Sequence, residues 1–290
     1  MIPETSLLFK TMFILCGQLI VVLGTCFYCI REARKAYEAN TSFAGLYFRG
    51  SMNMNKELDL VPYTPPPTNF PCAMYKVVPS KWDFRKSDIV TIMANDKEQR
   101  IELLKDGYFD KESGGYVYSV FLLWAIPLLI CTLFAITGIS TQLGLIFFTL
   151  SSLTLGPLLA FIMLEMDEND GFKALKIVFF VTLITGVIGY SDVYSFSESS
   201  FIGRFLFISL VGLIGFEFIR LFRGFSRKAI RYKAFFGIFI FSMYLLYDFN
   251  LLRKNSDYGV NDWDTAFSIA LSLYLDIINL LLEILDAMSN

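Results

Sequence analysis

The stretch that decides the fold lies near the end of the chain: ALSLYLDIINLLLEIL, residues 270–285. It is apolar enough for a lipid bilayer, yet it contains an aspartate, an asparagine and a glutamate. The polar side chains around it recur at steps of three and four residues and so share one helical face: Ser268, Ser272, Asp276, Asn279 and Glu283. An ionised carboxylate is costly inside a bilayer, so such a face turns toward a bundle interior or a water-filled cavity. We therefore expect a membrane helix whose polar stripe lines the bundle.

Six more apolar runs precede this one, and each is near the roughly 20 residues that a helix needs to cross a bilayer. They are apolar on all faces, whereas a soluble helix shows a single apolar stripe. Only 18% of the residues are charged, against about 25% in an ordinary soluble domain. The sequence thus predicts an all-α polytopic membrane protein, a bundle of seven transmembrane helices. The predicted spans are 8–30, 117–137, 139–164, 173–191, 201–219, 232–250 and 264–286.

These runs divide the chain into three parts. Residues 1–30 hold the N-terminus and the first helix, residues 31–116 form a polar extramembrane insertion, and residues 117–290 hold the other six helices. Within the insertion, PYTPPPTNFP (62–71) favours an extended, polyproline-like chain. The later part of the insertion, 87–109, predicts a short helix with four charged side chains pointing outward: Lys97, Glu98, Arg100 and Glu102.

Basic residues predict the orientation in the membrane. With seven crossings, the side that carries the N-terminus has four, namely Lys10, Arg204, Arg253 and Lys254. The other side holds eight outside the long insertion, six of them within the basic segment 220–233. The insertion is discounted because long loops follow the positive-inside rule poorly. We expect the N-terminus outside, and the insertion and the basic segment 220–233 on the cytoplasmic or matrix side.

Several chemistries are disfavoured by what the chain lacks. It has no histidine, which excludes a Ser-His-Asp triad and histidine-ligated zinc or haem. Cys26 and Cys29 form a C-x-x-C in the first apolar run, but without a second pair they are better read as buried thiols than as a metal or redox site. We expect no enzymatic activity, no cofactor and no nucleic-acid partner.

A second membrane aspartate occurs in the preceding run, in FSMYLLYDFN (241–250). Asp248 lies 28 residues before Asp276, and the two helices are joined by a hairpin, so they are antiparallel neighbours and the two carboxyl groups can meet at one depth. In a medium of low dielectric constant, two adjacent carboxylates cannot both ionise cheaply and so share a proton. A structural alternative stays open, in which both side chains act as a hydrogen-bonded cap or clamp.

Three more acids lie near the ends of these runs. Glu283 and Asp286 are expected to be interfacial or solvated near the C-terminus. Glu217 is expected to form an ion pair with Arg220 or Arg204.

FSMYLLYDFN and ALSLYLDIINLLLEIL together resemble the signature of the transmembrane BAX inhibitor motif (TMBIM) family. FFTLSSLTLGPLL (147–159) resembles the third-helix motif of that family, and LLFKTMFILCGQLIVVLG (7–24) resembles its first helix. The resemblance covers most of the membrane part, about 7–30 and 117–286. It implies a seven-helix protein of an internal membrane, either the mitochondrial inner membrane or the endoplasmic reticulum.

The resemblance also implies a function. Family members are implicated in calcium leak and in protection from cell death, and two of their aspartates form a proton-sensitive latch. The matching positions here are Asp248 and Asp276, which would also be the residues that meet Ca²⁺, the transported ion. The remaining polar residues of the stripe, Ser268, Ser272, Asn279 and Glu283, would line the pore. These expectations describe a pH-sensitive calcium leak channel or ion exchanger.

Departures from the family pattern support a second hypothesis. The second predicted span has no acidic residue, Ser152 stands where an acid is common, and TGISTQLG (137–144) has no basic residue. The chain could then be a non-conducting accessory subunit of a larger membrane complex, such as a respiratory assembly, that holds protein partners through residues 31–116. The two hypotheses differ in whether the insertion packs on its own helices or extends away from them.

Overall fold

The structure is a computed structural model, and it describes residues 5–39, 41–52, 58–63, 70–79, 87–110, 115–165, 168–191, 193–220 and 225–288. All seven predicted apolar runs are helical. Six of these helices, as described, are long and apolar enough to cross a bilayer, and the described apolar part of the seventh, Leu122–Thr137, is shorter. The helices are α1 (Leu7–Ala39), α2 (Lys97–Lys105), α3 (Gly115–Thr137), α4 (Thr141–Glu165), α5 (Glu168–Tyr190), α6 (Ser200–Arg220), α7 (Arg227–Asp257) and α8 (Trp263–Met288).

Two helices are longer than the apolar runs that predicted them. α1 continues to Ala39 through REARKAYEA, which is rich in residues that favour helix. Its 33 residues span about 50 Å at 1.5 Å per residue, more than the hydrocarbon core of a bilayer. α7 begins at Arg227 because the side chain of Ser226 accepts a hydrogen bond from the backbone N–H of Ala229 (3.3 Å) and caps the helix. Half of the predicted basic loop is therefore helical.

The insertion contains strands that the sequence analysis did not predict. They form two small antiparallel sheets, one of β1 and β2 and the other in the order β4-β3-β5. β4 carries the β-branched and apolar run IVTIM, which suits a pleated, half-buried surface. The strands are β1 (Tyr47–Met52), β2 (Leu58–Tyr63), β3 (Cys72–Pro79), β4 (Ser87–Ala94) and β5 (Phe109–Asp110).

The predicted short helix is confirmed as α2, but the prediction that all four of its charged side chains point outward is wrong for one of them. Arg100 is buried, with 3% of its surface exposed, and its guanidinium donates a hydrogen bond to the Gly50 carbonyl. It points inward because β1 supplies a carbonyl acceptor on that side. Of the proline-rich stretch, Pro62 and Tyr63 end β2 as extended chain, whereas residues 64–69 lie outside the described residues.

The chain divides into two compact units. Unit 1 comprises Met1–Val21, Ile126–Ser152 and Asn169–Asn290, and unit 2 comprises Val22–Ala125 and Leu153–Glu168. α1, α3 and α4 each contribute to both units. The boundary therefore differs from the division into 1–30, 31–116 and 117–290, which followed hydropathy alone.

Within unit 2, the insertion packs on helices of its own chain. The ring of Phe43, in the insertion, lies 6.2 Å from that of Tyr28 in the apolar part of α1. The ring of Phe48, in β1, lies 6.4 Å from that of Phe161 in α4. The described part of the insertion is therefore anchored to α1 and α4.

The same unit contains a close helix–helix approach between α4 and α1. A Cβ at Gly156 of α4 would overlap the side chain of Thr25 and lie 2.9 Å from the Val22 carbonyl, so glycine is required there. Nearby, Cys26 and Cys29 are buried free thiols, and the Cys26 thiol contacts the sulfur of Met163 at 3.8 Å. The interpretation of this C-x-x-C as buried thiols is confirmed.

In unit 1, α8 is the central helix. In its most apolar stretch of 18 residues, 72% of the residues are buried. In the other five helices that are long and apolar enough to cross a bilayer, this share is 44% or less. α7 packs antiparallel along it, as the hairpin predicts. α5 approaches α7 closely at Gly189, where a Cβ would lie 2.7 Å from the Leu246 carbonyl oxygen. These contacts fix the part of α7 that carries Asp248.

Candidate functional site

The two membrane aspartates lie against each other. Asp248, on α7, and Asp276, on α8, are both buried, and their carboxyl groups lie close enough to interact directly. A carboxyl–carboxyl hydrogen bond needs a proton on one partner, because two carboxylates offer only acceptors. No other group among the described residues donates to Oδ2 of Asp276. The geometry is that of a pair that can share one proton between two helices.

The surroundings of the pair are largely apolar, with one tyrosine close by. Leu245 and Phe249 are buried on α7 on either side of Asp248. Tyr244, one turn before Asp248, lies close enough to interact electrostatically with both carboxyl groups. In such surroundings a full negative charge on both aspartates is strongly disfavoured.

A buried asparagine next to the pair holds α7 in place. Asn250 is fully buried; its amide nitrogen donates to the Gly189 carbonyl at the end of α5 (3.2 Å), and its oxygen accepts from the backbone N–H (3.0 Å) and hydroxyl (2.8 Å) of Ser197. The α5–α6 connection is thereby tied to the turn of α7 that carries Asp248.

The other four residues of the predicted polar stripe differ in burial. Ser272 is exposed, and Ser268 and Asn279 are half-buried, so these three side chains follow the open side of α8. Glu283 instead is buried, together with Asp276. The lining of a pore by these residues stays a prediction.

Glu283 was expected to be interfacial or solvated, and the solvated alternative is wrong because its side chain is buried. Both of its carboxylate oxygens accept from the Lys233 ammonium, at 3.0 and 2.9 Å, and both side chains are at least nine-tenths buried. A buried carboxylate of this kind needs a counter-ion, and α7 supplies one.

This ion pair belongs to a larger set that we call the Lys233 network: Glu217 and Arg220 on α6, Lys233 on α7, and Glu283 and Asp286 on α8. Lys233 also forms ion pairs with Glu217 and with Asp286, the latter at 3.3 Å. Arg220 bridges Asp286 at 2.8 Å and Glu217 at 3.5 Å, which confirms the predicted Glu217–Arg220 pair. The network joins three helices at the end of α8.

A glycine makes room for this network. A Cβ on Gly237, one turn after Lys233, would lie 2.7 Å from Cγ and 2.8 Å from Oε1 of Glu283. The Glu283 side chain therefore lies directly on the backbone of α7. A substitution at this position must displace it.

Lys233, Gly237 and Tyr274 were missed by the sequence analysis. Lys233 was counted with the basic segment 220–233, although it also falls at the start of the predicted span 232–250. The signal that could have placed it well inside a helix was the Ser226 cap. Tyr274 was passed over as an apolar residue, yet it is fully buried and its hydroxyl accepts a hydrogen bond from Ser152 (3.3 Å). Ser152, where an acid is common in the resembling family, thus pairs with α8.

The opposite end of α8 is also held by polar contacts. Asp262 precedes the helix, and its carboxylate accepts from the backbone N–H (2.7 Å) and hydroxyl (3.0 Å) of Thr265. The buried ammonium of Lys10, on α1, donates to the Asn261 carbonyl (2.7 Å) and lies over the ring of Trp263. The start of α8 is thus tied to the first helix.

These observations define a class: a polytopic α-helical membrane protein with a buried pair of aspartates between its last two helices. Comparison with known families agrees with the resemblance. The model of the Bax1-I family, described as "Inhibitor of apoptosis-promoting Bax1", matches residues 101–290, more than half of the chain. The chain belongs to this family.

Individual relatives match over shorter stretches. Protein LIFEGUARD 4 of Arabidopsis thaliana is 33% identical over 121 residues, which cover 39% of this chain and 47% of that protein. The BI1-like protein of the same plant is 32% identical over 109 residues, or 36% of this chain and 41% of that protein. An uncharacterised protein of Helicobacter pylori is 26% identical over 149 residues, or 51% and 60%. The chain spans about half the length of the curated relatives that it matches.

Proposed function

We propose that the protein is a pH-sensitive cation leak pathway for Ca²⁺, gated by Asp248 and Asp276. The single observation that carries the proposal is the buried contact between these carboxyl groups. While one proton is shared, the pair holds α7 and α8 together. When that proton leaves, two like charges face each other in surroundings of low dielectric constant and repel.

Ca²⁺ fits this chemistry as the transported ion. It is a hard cation that prefers oxygen ligands, and carboxylates that have lost their proton offer them. Two carboxylates make an incomplete coordination shell, which suits a site that an ion passes through. The half-exposed polar side of α8, with Ser268, Ser272 and Asn279, would line the rest of the path.

The packing of the insertion favours this function over that of an accessory subunit. A segment that grips another protein would extend from the bundle, whereas the described part of the insertion packs on α1 and α4 through Phe43 and Phe48. Family membership further supports a place in an internal membrane and a role in ion homeostasis and cell-death control. Imaging of the tagged protein in cells would distinguish the mitochondrial inner membrane from the endoplasmic reticulum.

The test is Ca²⁺ flux into liposomes that contain the purified protein and an enclosed Ca²⁺ indicator. We expect the wild-type flux to rise as the pH rises, because the shared proton is lost. Asp276→Asn and Asp248→Asn should each abolish this pH response, because the remaining single carboxyl group has no charged partner to repel. Asp257→Asn is the matched control, since this aspartate lies on α7 but pairs with Arg253 near the surface (3.0 Å).

Two results would contradict the proposal. One is a wild-type flux no greater than that of empty liposomes. The other is an unchanged pH response in both aspartate variants, which would leave the pair a structural clamp.

A further inference from the structure

We propose that Lys233 is a positioning residue for this latch: the Lys233 network holds the C-terminal half of α8 fixed, so that only the N-terminal half moves when the Asp248–Asp276 contact breaks. This inference rests on the proposed function, since it needs the aspartate pair to open. It assigns a role to five charged side chains that the latch itself does not use.

The first support is the position of the network. Asp276 and Glu283 are seven residues apart on α8, which is two turns or about 10 Å. Both are buried, and each meets a partner on α7. α8 is therefore attached to α7 at two separate levels.

The second support is the nature of the two attachments. The aspartate pair is a contact between like groups and needs a proton to hold. The Lys233 network joins opposite charges and holds when its three carboxylates are ionised. A rise in pH therefore loosens the first attachment and leaves the second intact, so the helix is never released at both levels together.

The third support is the number of helices that meet at the network. Its charged groups come from three helices: Glu217 and Arg220 from α6, Lys233 from α7, and Glu283 and Asp286 from α8. Lys233 touches all three carboxylates, and Gly237 lets Glu283 lie against the backbone of α7. An attachment to two neighbouring helices resists both separation and rotation of α8.

The experiment is hydrogen–deuterium exchange of α8 in lipid nanodiscs, at pH values on either side of the flux response and corrected for the intrinsic pH dependence of exchange. In the wild type we expect residues 263–276 to lose protection as the pH rises and residues 279–288 to keep it. In Lys233→Met/Glu283→Gln, which leaves neither member of the central ion pair charged, residues 279–288 should exchange several-fold faster at both pH values. Lys228→Met, at an exposed position of the same helix, is the control and should behave as the wild type.

Each outcome of this experiment either supports or contradicts the proposal. Loss of protection in both halves of wild-type α8 together overturns the proposal, and this measurement needs no variant to fold. A double variant whose C-terminal half stays as protected as in the wild type overturns it as well. If instead residues 263–276 of the wild type do not respond to pH, the latch of the proposed function fails, whereas the effect of the double variant on residues 279–288 still reports on the network.

Discussion

At the scale of single residues, this protein tolerates buried acids in two different ways. Asp276 faces the carboxyl group of Asp248, with which we propose that it shares a proton. Glu283, two turns further along the same helix, faces the Lys233 ammonium and is neutralised by an ion pair. Both side chains belong to one polar stripe in the sequence, but the partner of each lies on another helix. The stripe alone therefore could not distinguish them.

Gly237 gives a test of the ion pair at this scale. Gly237→Ala should destabilise the protein by about 1–3 kcal/mol, because the new Cβ overlaps Glu283 and displaces it from Lys233. The measurement is thermal unfolding in detergent micelles. Gly212→Ala on α6 is the matched control: a Cβ there meets nothing within 4 Å, so that variant should be unchanged or more stable by up to about 1 kcal/mol. Equal melting temperatures for both variants would contradict the packing described here.

At the scale of secondary-structure elements, the end of each helix is set by a few polar contacts. The Ser226 hydroxyl caps the N-terminus of α7, and the Asp262 carboxylate caps the N-terminus of α8. Two residues hold α7 against α5. Gly189 allows the two backbones to approach closely, and the Asn250 amide donates a hydrogen bond to the Gly189 carbonyl. Apolar runs predict that such helices exist, whereas their ends and neighbours depend on these local contacts.

The cap of α8 predicts a pH dependence of stability. The hydrogen bond from the backbone N–H of Thr265, the largest cause, lowers the pKa of the Asp262 carboxyl. A carboxyl group whose pKa is lower in the folded state stabilises the protein above its unfolded pKa, and this contribution is lost as the pH falls through the folded pKa. Asp262→Ala should therefore cost about 1 kcal/mol at neutral pH and less in acid.

The measurement is the difference in melting temperature between Asp262→Ala and the wild type, followed from neutral to acid pH. Asp262→Asn is the control, because asparagine caps a helix nearly as well without a charge. It should retain most of the stability and remove the pH-dependent part. A difference between the wild type and the alanine variant that stays constant across the range would rule out this role of the charge.

At the scale of the whole molecule, α1 contributes residues to both compact units. Its first two-thirds are apolar, and its charged end carries Tyr37, which holds the Lys97 side chain of the insertion. The insertion is itself organised around Arg100 and a small core that includes Met74 and Ala94. The family model begins at residue 101, so it covers little of this insertion.

Arg100 tests whether the insertion is an independent element. Arg100→Met should leave the buried Gly50 carbonyl without this donor, at a cost of about 1–3 kcal/mol. We expect limited proteolysis to cut the insertion faster, while Ca²⁺ flux through the Asp248–Asp276 pair keeps its pH response. Lys105→Met, an exposed substitution on the same short helix, should change neither. A loss of the pH response in Arg100→Met would show that the insertion takes part in gating.

The sequence by itself determined the class of fold, the seven helical segments and the aspartates that meet. Length and hydropathy set the first two, because a bilayer requires long apolar helices. The hairpin between Asp248 and Asp276 set the third, since two antiparallel helices joined by a short loop must be neighbours. These are local properties of the chain. The sequence analysis missed only the exact ends of the helices, for example the start of α7 at the Ser226 cap.

Only the tertiary structure decided which charges neutralise each other and how the insertion folds. Lys233 and Glu283 are 50 residues apart, and Arg100 and Gly50 are equally distant along the chain. The short strands carry little periodic signal; in the structure, β1 and β4 contact α2, and Phe48 of β1 lies against Phe161 of α4. The physical reason is the same in each case: a buried polar group needs a partner, but its sequence does not say which distant segment supplies it.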